Sequence, residues 1–190
     1  LRSGVGKVTV YGPQCAYQTV QTAVPEAMFE ADDNKLMIND IHPTRQYSAY
    51  GIGPGIGTAD NTLNAIDTFI RSAKTPLVID ADALNCIARR PELLNHIPML
   101  SVLTPHDGEF DRLFGEHTTH EARLKKALEV SKYYNLLILL KGHYTALVRP
   151  DGKVYFNSTG SPAMATPGSG DVLTGMLTPL TGQGYKPEVS

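Results

Sequence analysis

No apolar run in these 190 residues approaches the ~20 positions that a membrane-spanning helix needs; the longest, Leu136 to Leu140, lies between Asn135 and Lys141. A transmembrane or signal segment is not expected within it. Cysteine is scarce: Cys15 and Cys86 lie far apart, with no CxxC and no His-Cys cluster, so neither a disulfide framework nor a zinc site is indicated and a reducing cytoplasm fits. There is no excess of positive charge. Seventeen Lys and Arg against nineteen Asp and Glu leave −2, which gives no global field to gather nucleic acid or an anionic membrane. Repeats, low-complexity tracts and a Pro/Gly/Ser linker are missing too, so the length argues for a single domain over 1–190. The chain opens on Leu1 without an initiator Met and closes on Lys186 to Ser190, which reads like a loop leading into another helix, so both ends read as cut.

What is present is ordinary globular material, 42% apolar and 19% charged, in which the type of periodicity alternates. Short apolar runs suited to buried strands occupy Lys7–Tyr11, Ser48–Ile52, Pro76–Asp80, Ser101–Thr104, Leu136–Lys141, Thr145–Arg149 and Val154–Asn157. Amphipathic stretches occupy Ala16–Thr22, Asp60–Ser72, Ala83–Arg90, Gly108–Phe114, Glu121–Tyr133 and Asp171–Thr181. Strand alternating with helix predicts an α/β fold with a mostly parallel sheet covered on both faces, because parallel strands need crossovers. Asp151-Gly152 between two β-rich runs predicts one antiparallel hairpin near residues 145–157.

Loops leaving the carboxyl ends of parallel strands form the ligand crevice in such sheets. Five distinctive segments fall there. Gly51-Ile52-Gly53-Pro54-Gly55-Ile56-Gly57 runs from a strand toward a helix with Thr58 or Asp60 as candidate N-cap. Its glycines suit either close approach of a ligand to main-chain amides or a tight turn alone. Asp80 and Asp82 end a buried strand, where they could serve a divalent cation through water, or cap a helix and tie down a loop. In Thr104-Pro105-His106-Asp107-Gly108-Glu109 the His projects from the rim, with Glu109 in the next helical turn. Lys141 closes a strand of five apolar residues, an expensive place for a charge unless it is paired or serves an anion.

The fifth segment says most: Ala165-Thr166-Pro167-Gly168-Ser169-Gly170-Asp171-Val172-Leu173-Thr174-Gly175, a Gly-rich loop entering an apolar helix. Amides of Ser169, Gly170 and Asp171 would converge at the helix N-terminus as an anion hole, beside which Asp171 could accept a proton from an attacking hydroxyl. The alternative is an ordinary helix cap by Ser or Asp.

Together with Leu1 to Val8, the ordered set Gly53 to Gly57, Asp80 to Asn85, Thr104-Pro105-His106, Lys141-Gly142 and Gly168 to Gly175 resembles the ribokinase-like superfamily. Within it, the set resembles the ADP-dependent NAD(P)H-hydrate dehydratases, the carboxyl-terminal domain of YjeF-type repair proteins. The resemblance implies repair of hydrated NADH and NADPH at the expense of ADP, giving AMP and phosphate. It also implies that Asp171 is the base, with Gly168, Ser169 and Gly170 forming the anion hole around it. Gly57, His106 and Asp171, with Gly53 and Gly55, then match the hydrated-cofactor site. Lys141, Gly142, His143, Tyr144, Thr145 and Gly170 match the adenine-nucleotide site. Further implications are Mg²⁺ with unassigned ligands, ATP as an alternative co-substrate, a homo-oligomer, and an epimerase domain fused before Leu1. Helices missing from both ends are implied as well. Pro167, Asp107 and the His143-Tyr144 pair depart from the family's usual residues. The competing readings are a ribokinase-like kinase for a vitamin-precursor alcohol and a nucleotide-binding module without turnover.

Overall fold

The computed structural model describes residues 2–161 and 166–185. Leu1, Ala165 and the Lys186 to Ser190 end, all singled out in the sequence, lie outside these residues. Near the amino end, β1 (Thr9–Gly12) and β2 (Met28–Ala31) pair in parallel around helix α1 (Tyr17–Ala23). The main sheet follows in chain order: β3 (Tyr50–Ile52), β4 (Leu77–Ile79), β5 (Val102–Leu103), β6 (Leu137–Leu140), β7 (Thr145–Val148) and β8 (Val154–Asn157). From β3 to β6 the pairing is parallel, and β6–β7 and β7–β8 are antiparallel. The expected hairpin is present, joined by a second one at the Lys141 loop that the sequence reading did not foresee.

Crossovers are made by α2 (Asp60–Ser72), α3 (Ala81–Arg89) with a 3-10 turn at Pro91–His96, and α4 (Asp107–Phe114) with α5 (His120–Tyr134). Strands that pair in chain order with crossovers of one hand place their helices on one face. The alternation of side chains shows it: Leu77, Ile79, Leu103 and Ile138 enter a core with Leu63, Ile66, Phe69 and Ile70 of α2, Leu84 and Ile87 of α3, and Phe110 of α4. Burying each of the α2 side chains contributes about 1.5–3 kcal/mol. Val78, Val102, Leu137 and Leu147 point the other way, onto Leu177 of α6 (Ser169–Gly182). Close seating of α6 needs Gly51 in β3, because a Cβ there would lie 2.3 Å from Thr178 Oγ1.

Two local expectations change. Neither Thr58 nor Asp60 caps α2: the N-cap is Ala59, which supplies no side-chain bond, and Asp60 is the first helical residue, where its charge favours the positive end of the helix. β2 is an additional strand, defined by its pairing with β1; Glu30 and Ala31 in Met28–Ala31 hide it from a pattern search.

Candidate active site

Parallel pairing of β3 to β6 brings their carboxyl ends, Gly53, Asp80, His106 and Lys141, to one edge of the sheet. At Gly53 the glycine is required by the protein itself. Its φ is +132°, and a Cβ would lie 1.8 Å from the Asp80 carbonyl oxygen, so the loop after β3 packs directly on the end of β4. Beyond it, Gly55 and Gly57 face open space, and the Gly57 N–H donates to Asp82 Oδ2 at 2.9 Å. Cys86 lies beneath, its Sγ 3.9 Å from the Gly57 carbonyl oxygen. Burial pushes its thiol pKa up, which makes it a poor nucleophile.

Asp80 is 1% exposed and is the hub of the edge. Its Oδ1 accepts from the Ala81 N–H at 2.9 Å, capping α3, and from Lys141 Nζ at 2.6 Å; its Oδ2 accepts from Thr174 Oγ1 at 2.8 Å. Glu109 Oε2 lies 3.8 Å from Lys141 Nζ and also accepts the His106 N–H at 2.9 Å. The charge at the end of β6 is thus met by two buried carboxylates, which is what its position demands. Of the two roles open to Asp80 and Asp82, capping and loop anchoring are both realised, with the pairing to Lys141 in addition.

His106 caps α4. Its Nδ1 accepts from the Gly108 and Glu109 amides at 3.0 and 3.3 Å, which places the ring proton of the neutral imidazole on Nε2, 3.3 Å from Glu109 Oε1. The side chain stays half exposed at the rim.

Gly168 supplies the left-handed turn that starts α6, with φ +86° and no side-chain cap from Ser169 or Asp171. The Ser169 amide already donates to the Thr166 carbonyl at 3.2 Å, which leaves for the expected anion hole only the Gly170 and Asp171 amides, which have no acceptor among the described residues. A Cβ on Gly170 would sit 3.5 Å from Lys141 Nζ and 3.6 Å from Asp80 Oδ2, so this amide turn lies directly against the Lys141 ammonium. Asp171 is exposed and makes no hydrogen bond or ion pair among the described residues. Gly142, His143, Tyr144 and Thr145 form the turn from β6 into β7, closed by Thr145 Oγ1 donating to the Gly142 carbonyl at 3.1 Å. The rings of His143 and Tyr144 meet edge to face there, with Tyr144 largely exposed.

Lys141 and Asp80 are therefore paired, with the open side of Gly170 facing both, whereas no hydrogen bond joins Gly57, His106 and Asp171 among the described residues. Sequence reasoning missed Thr174 and the pairing of Glu109 with Lys141. Its spacing, four residues after Gly170 and three after Asp171 on the same helix face, marks Thr174 as a neighbour of the site but not as a partner of Asp80.

A family model described as NAD(P)H-hydrate dehydratase matches residues 1–189. This chain belongs to that family. A bifunctional NAD(P)H-hydrate repair enzyme of Moorella thermoacetica is 37% identical over all of the chain, which spans 38% of that protein. An ADP-dependent (S)-NAD(P)H-hydrate dehydratase of Bacillus subtilis is 34% identical over 93% of the chain and 62% of its own length. The crystal structure of the Bacillus subtilis ADP/ATP-dependent NAD(P)H-hydrate dehydratase, co-crystallized with ATP/Mg²⁺, superposes with a TM-score of 0.79 at 32% identity, over 95% of this chain and 64% of that one. A ribokinase-like superfamily protein of Enterococcus faecalis shares the fold at a TM-score of 0.77 and 24% identity. The dehydratase-family chain thus has the expected ribokinase-like α/β architecture, and it spans less than two thirds of these relatives.

Proposed function

We propose that the chain carries the site for ADP-dependent dehydration of hydrated NADH and NADPH. The observation that carries this reading is the seating of the Gly170 turn of α6 against Lys141, itself held by Asp80, with the exposed Asp171 carboxylate next to it in the turn. In this reading the C6 hydroxyl of the hydrated nicotinamide attacks the β-phosphoryl group of ADP while Asp171 accepts its proton. The Gly170 and Asp171 amides, with the positive end of α6 and the Lys141 ammonium, stabilise the charge on the transferring phosphoryl oxygens. AMP leaves. The ring nitrogen's electrons then expel phosphate from C6, and loss of a proton from C5 to water closes the C5–C6 double bond and restores the reduced nicotinamide. Gly53, Gly55, Gly57 and His106 would line the hydrated-cofactor side of the crevice, and Gly142 to Thr145 the adenine side.

Among the described residues no three His, Cys, Asp or Glu side chains are grouped closely enough to hold a metal. That fits Mg²⁺ as a companion of the nucleotide, since this ion keeps most of its waters and takes one or two carboxylates together with substrate phosphates. Glu109, a hard oxygen donor 3.8 Å from Lys141 Nζ, would hold it through water, whereas Asp80 is buried with both oxygens already taken by Ala81, Lys141 and Thr174. When bound it would neutralise phosphate charge. Among the described residues no helix is long and apolar enough to cross a membrane. The proposal keeps 1–190 as one dehydratase domain completed by helices on either side. Homo-oligomerisation and a cytoplasmic location belong to the same proposal.

The test is to mix the full chain, Mg²⁺, ADP and hydrated NADH and to follow the return of reduced-nicotinamide absorbance. Asp171→Asn should lose turnover by about 10³-fold or more while binding ADP normally, because only the proton acceptor is removed. No recovery with ADP or ATP would sink the proposal. A stable phosphate ester of a vitamin-precursor alcohol would identify a kinase instead.

A further inference from the structure

We propose that Thr174 is a positioning residue, which through Asp80 sets the rotation of α6 and so the place where the Gly170–Asp171 turn meets Lys141. The inference rests on the dehydratase reading only for the reaction it serves. Its ground is a contrast within one helix. Thr178 and Thr181 of α6 return their hydroxyls to the carbonyls four residues back, Thr174 and Leu177, at 2.8 and 2.9 Å. That is the usual habit of helical threonine. Thr174 departs from it and donates instead to Asp80 Oδ2 at 2.8 Å, across 94 positions of sequence, with both residues buried.

Asp80 is then a joint for three elements. It receives the Thr174 hydroxyl from α6, the Lys141 ammonium from the end of β6, and the Ala81 amide that opens α3. Packing seats the rest of α6 through Leu177 and through Thr178 against Gly51, seven or eight residues after Gly170, while the end that carries the turn has only the partly covered Leu173. The directional bond from Thr174 fixes that end. Thr174 shares its helix face with Gly170 and Asp171, so a turn of α6 moves all three together. A side-chain tip lies about 5–6 Å from a helix axis, so a 10° rotation displaces it by about 1 Å. Misplacement on that scale is enough to lower a rate by about 100-fold.

Thr174→Val keeps shape and burial without the donor, and Thr174→Ser keeps the donor. In the full chain, Thr174→Val should lower kcat by about 10- to 100-fold, with KM for ADP and for hydrated NADH within about 3-fold of the parent. Thr174→Ser should return kcat to within about 3-fold of the parent. Amide hydrogen exchange over residues 169–173 should quicken in the Val variant and not in the Ser variant. An unchanged kcat in Thr174→Val overturns the proposal. So does a Ser variant as impaired as Val, or a parallel loss of kcat, KM and thermal midpoint. If the parent chain dehydrates neither cofactor, the dehydratase reading has failed separately; unchanged exchange in Thr174→Val then overturns the positioning role on its own.

Discussion

Lys141 Nζ stands 2.6 Å from Asp80 Oδ1, joining the ends of two parallel strands that are not neighbours in the sheet. The strand between them, β5, ends at the Thr104-Pro105-His106 loop, whose Pro105 carbonyl accepts the Lys141 N–H at 2.9 Å. The ammonium therefore has a fixed place above the sheet edge, and one of its three donors is spent on Asp80. Glu109 Oε2, at 3.8 Å, lies beyond hydrogen-bond distance, so among the described residues donors remain for the phosphate expected at the Gly170 turn.

Removing that ammonium should therefore affect folding and binding separately. Lys141→Met leaves the Asp80 carboxylate buried without its cation, and breaking such a pair costs about 3 kcal/mol. The denaturation midpoint should fall accordingly. Adding Asp80→Asn should recover part of the loss, while ADP affinity stays low in both variants. A stability change below about 1 kcal/mol in the single variant would show that the pair is too solvated to matter.

Gly170 offers a cleaner test of the phosphate subsite. A methyl group there would meet Lys141 Nζ at 3.5 Å and Asp80 Oδ2 at 3.6 Å, ordinary contact distances, so Gly170→Ala should fold with normal stability. It would nevertheless occupy the space between the amide turn and the ammonium. Calorimetry should find ADP affinity lowered by about 10-fold or more, equivalent to about 1.4 kcal/mol. Unchanged ADP binding would place the nucleotide elsewhere.

His106 has two jobs that different substitutions separate. Its Nδ1 caps α4, a role that Asn can take over, whereas Ala cannot. His106→Ala should cost about 1 kcal/mol of stability, and His106→Asn only a few tenths. Both should weaken the hydrated cofactor more than ADP in binding titrations. If the Asn variant binds hydrated NADH normally, the imidazole is only a cap.

The main sheet was legible because buried strands such as Leu77–Ile79 and Leu137–Leu140 read as apolar runs and α2 carries a clear amphipathic repeat. The loops carrying Gly53, Asp80, His106, Lys141 and Gly170 were legible because glycines and charges at strand ends are unusual. Illegible were pairings between distant residues. Nothing local in Thr174 says that its hydroxyl reaches Asp80 rather than its own helix, and nothing in Gly53 distinguishes a glycine demanded by the Asp80 carbonyl from one demanded by a ligand. The Ser169 amide was counted as free because its acceptor, the Thr166 carbonyl, appears only once the turn is built.

An ion pair between α4 and α5 forms the frame behind the site. Arg123 of α5 grips Asp111 of α4 with two bonds, Nε to Oδ1 at 3.0 Å and Nη2 to Oδ2 at 2.7 Å, and reaches Asp107 Oδ2 with Nη1 at 3.1 Å. This locks the helix that begins at His106. The Arg123 hydrogen bonds hold the Asp111 carboxyl below its ordinary value of 3.8, against the opposing effect of burial, and His117 adds to the lowering. Because the folded state binds the proton more weakly than the unfolded chain, the stabilisation is complete above the ordinary carboxylate range and is lost as pH falls below it. Arg123→Leu should destabilise the protein by about 2 kcal/mol at pH 7, the scale of hydrogen bonds to a charged group. The difference from the parent, followed by denaturant titration, should shrink as pH falls below 3.8. A difference that stays constant with pH would mean that Arg123 acts by packing alone.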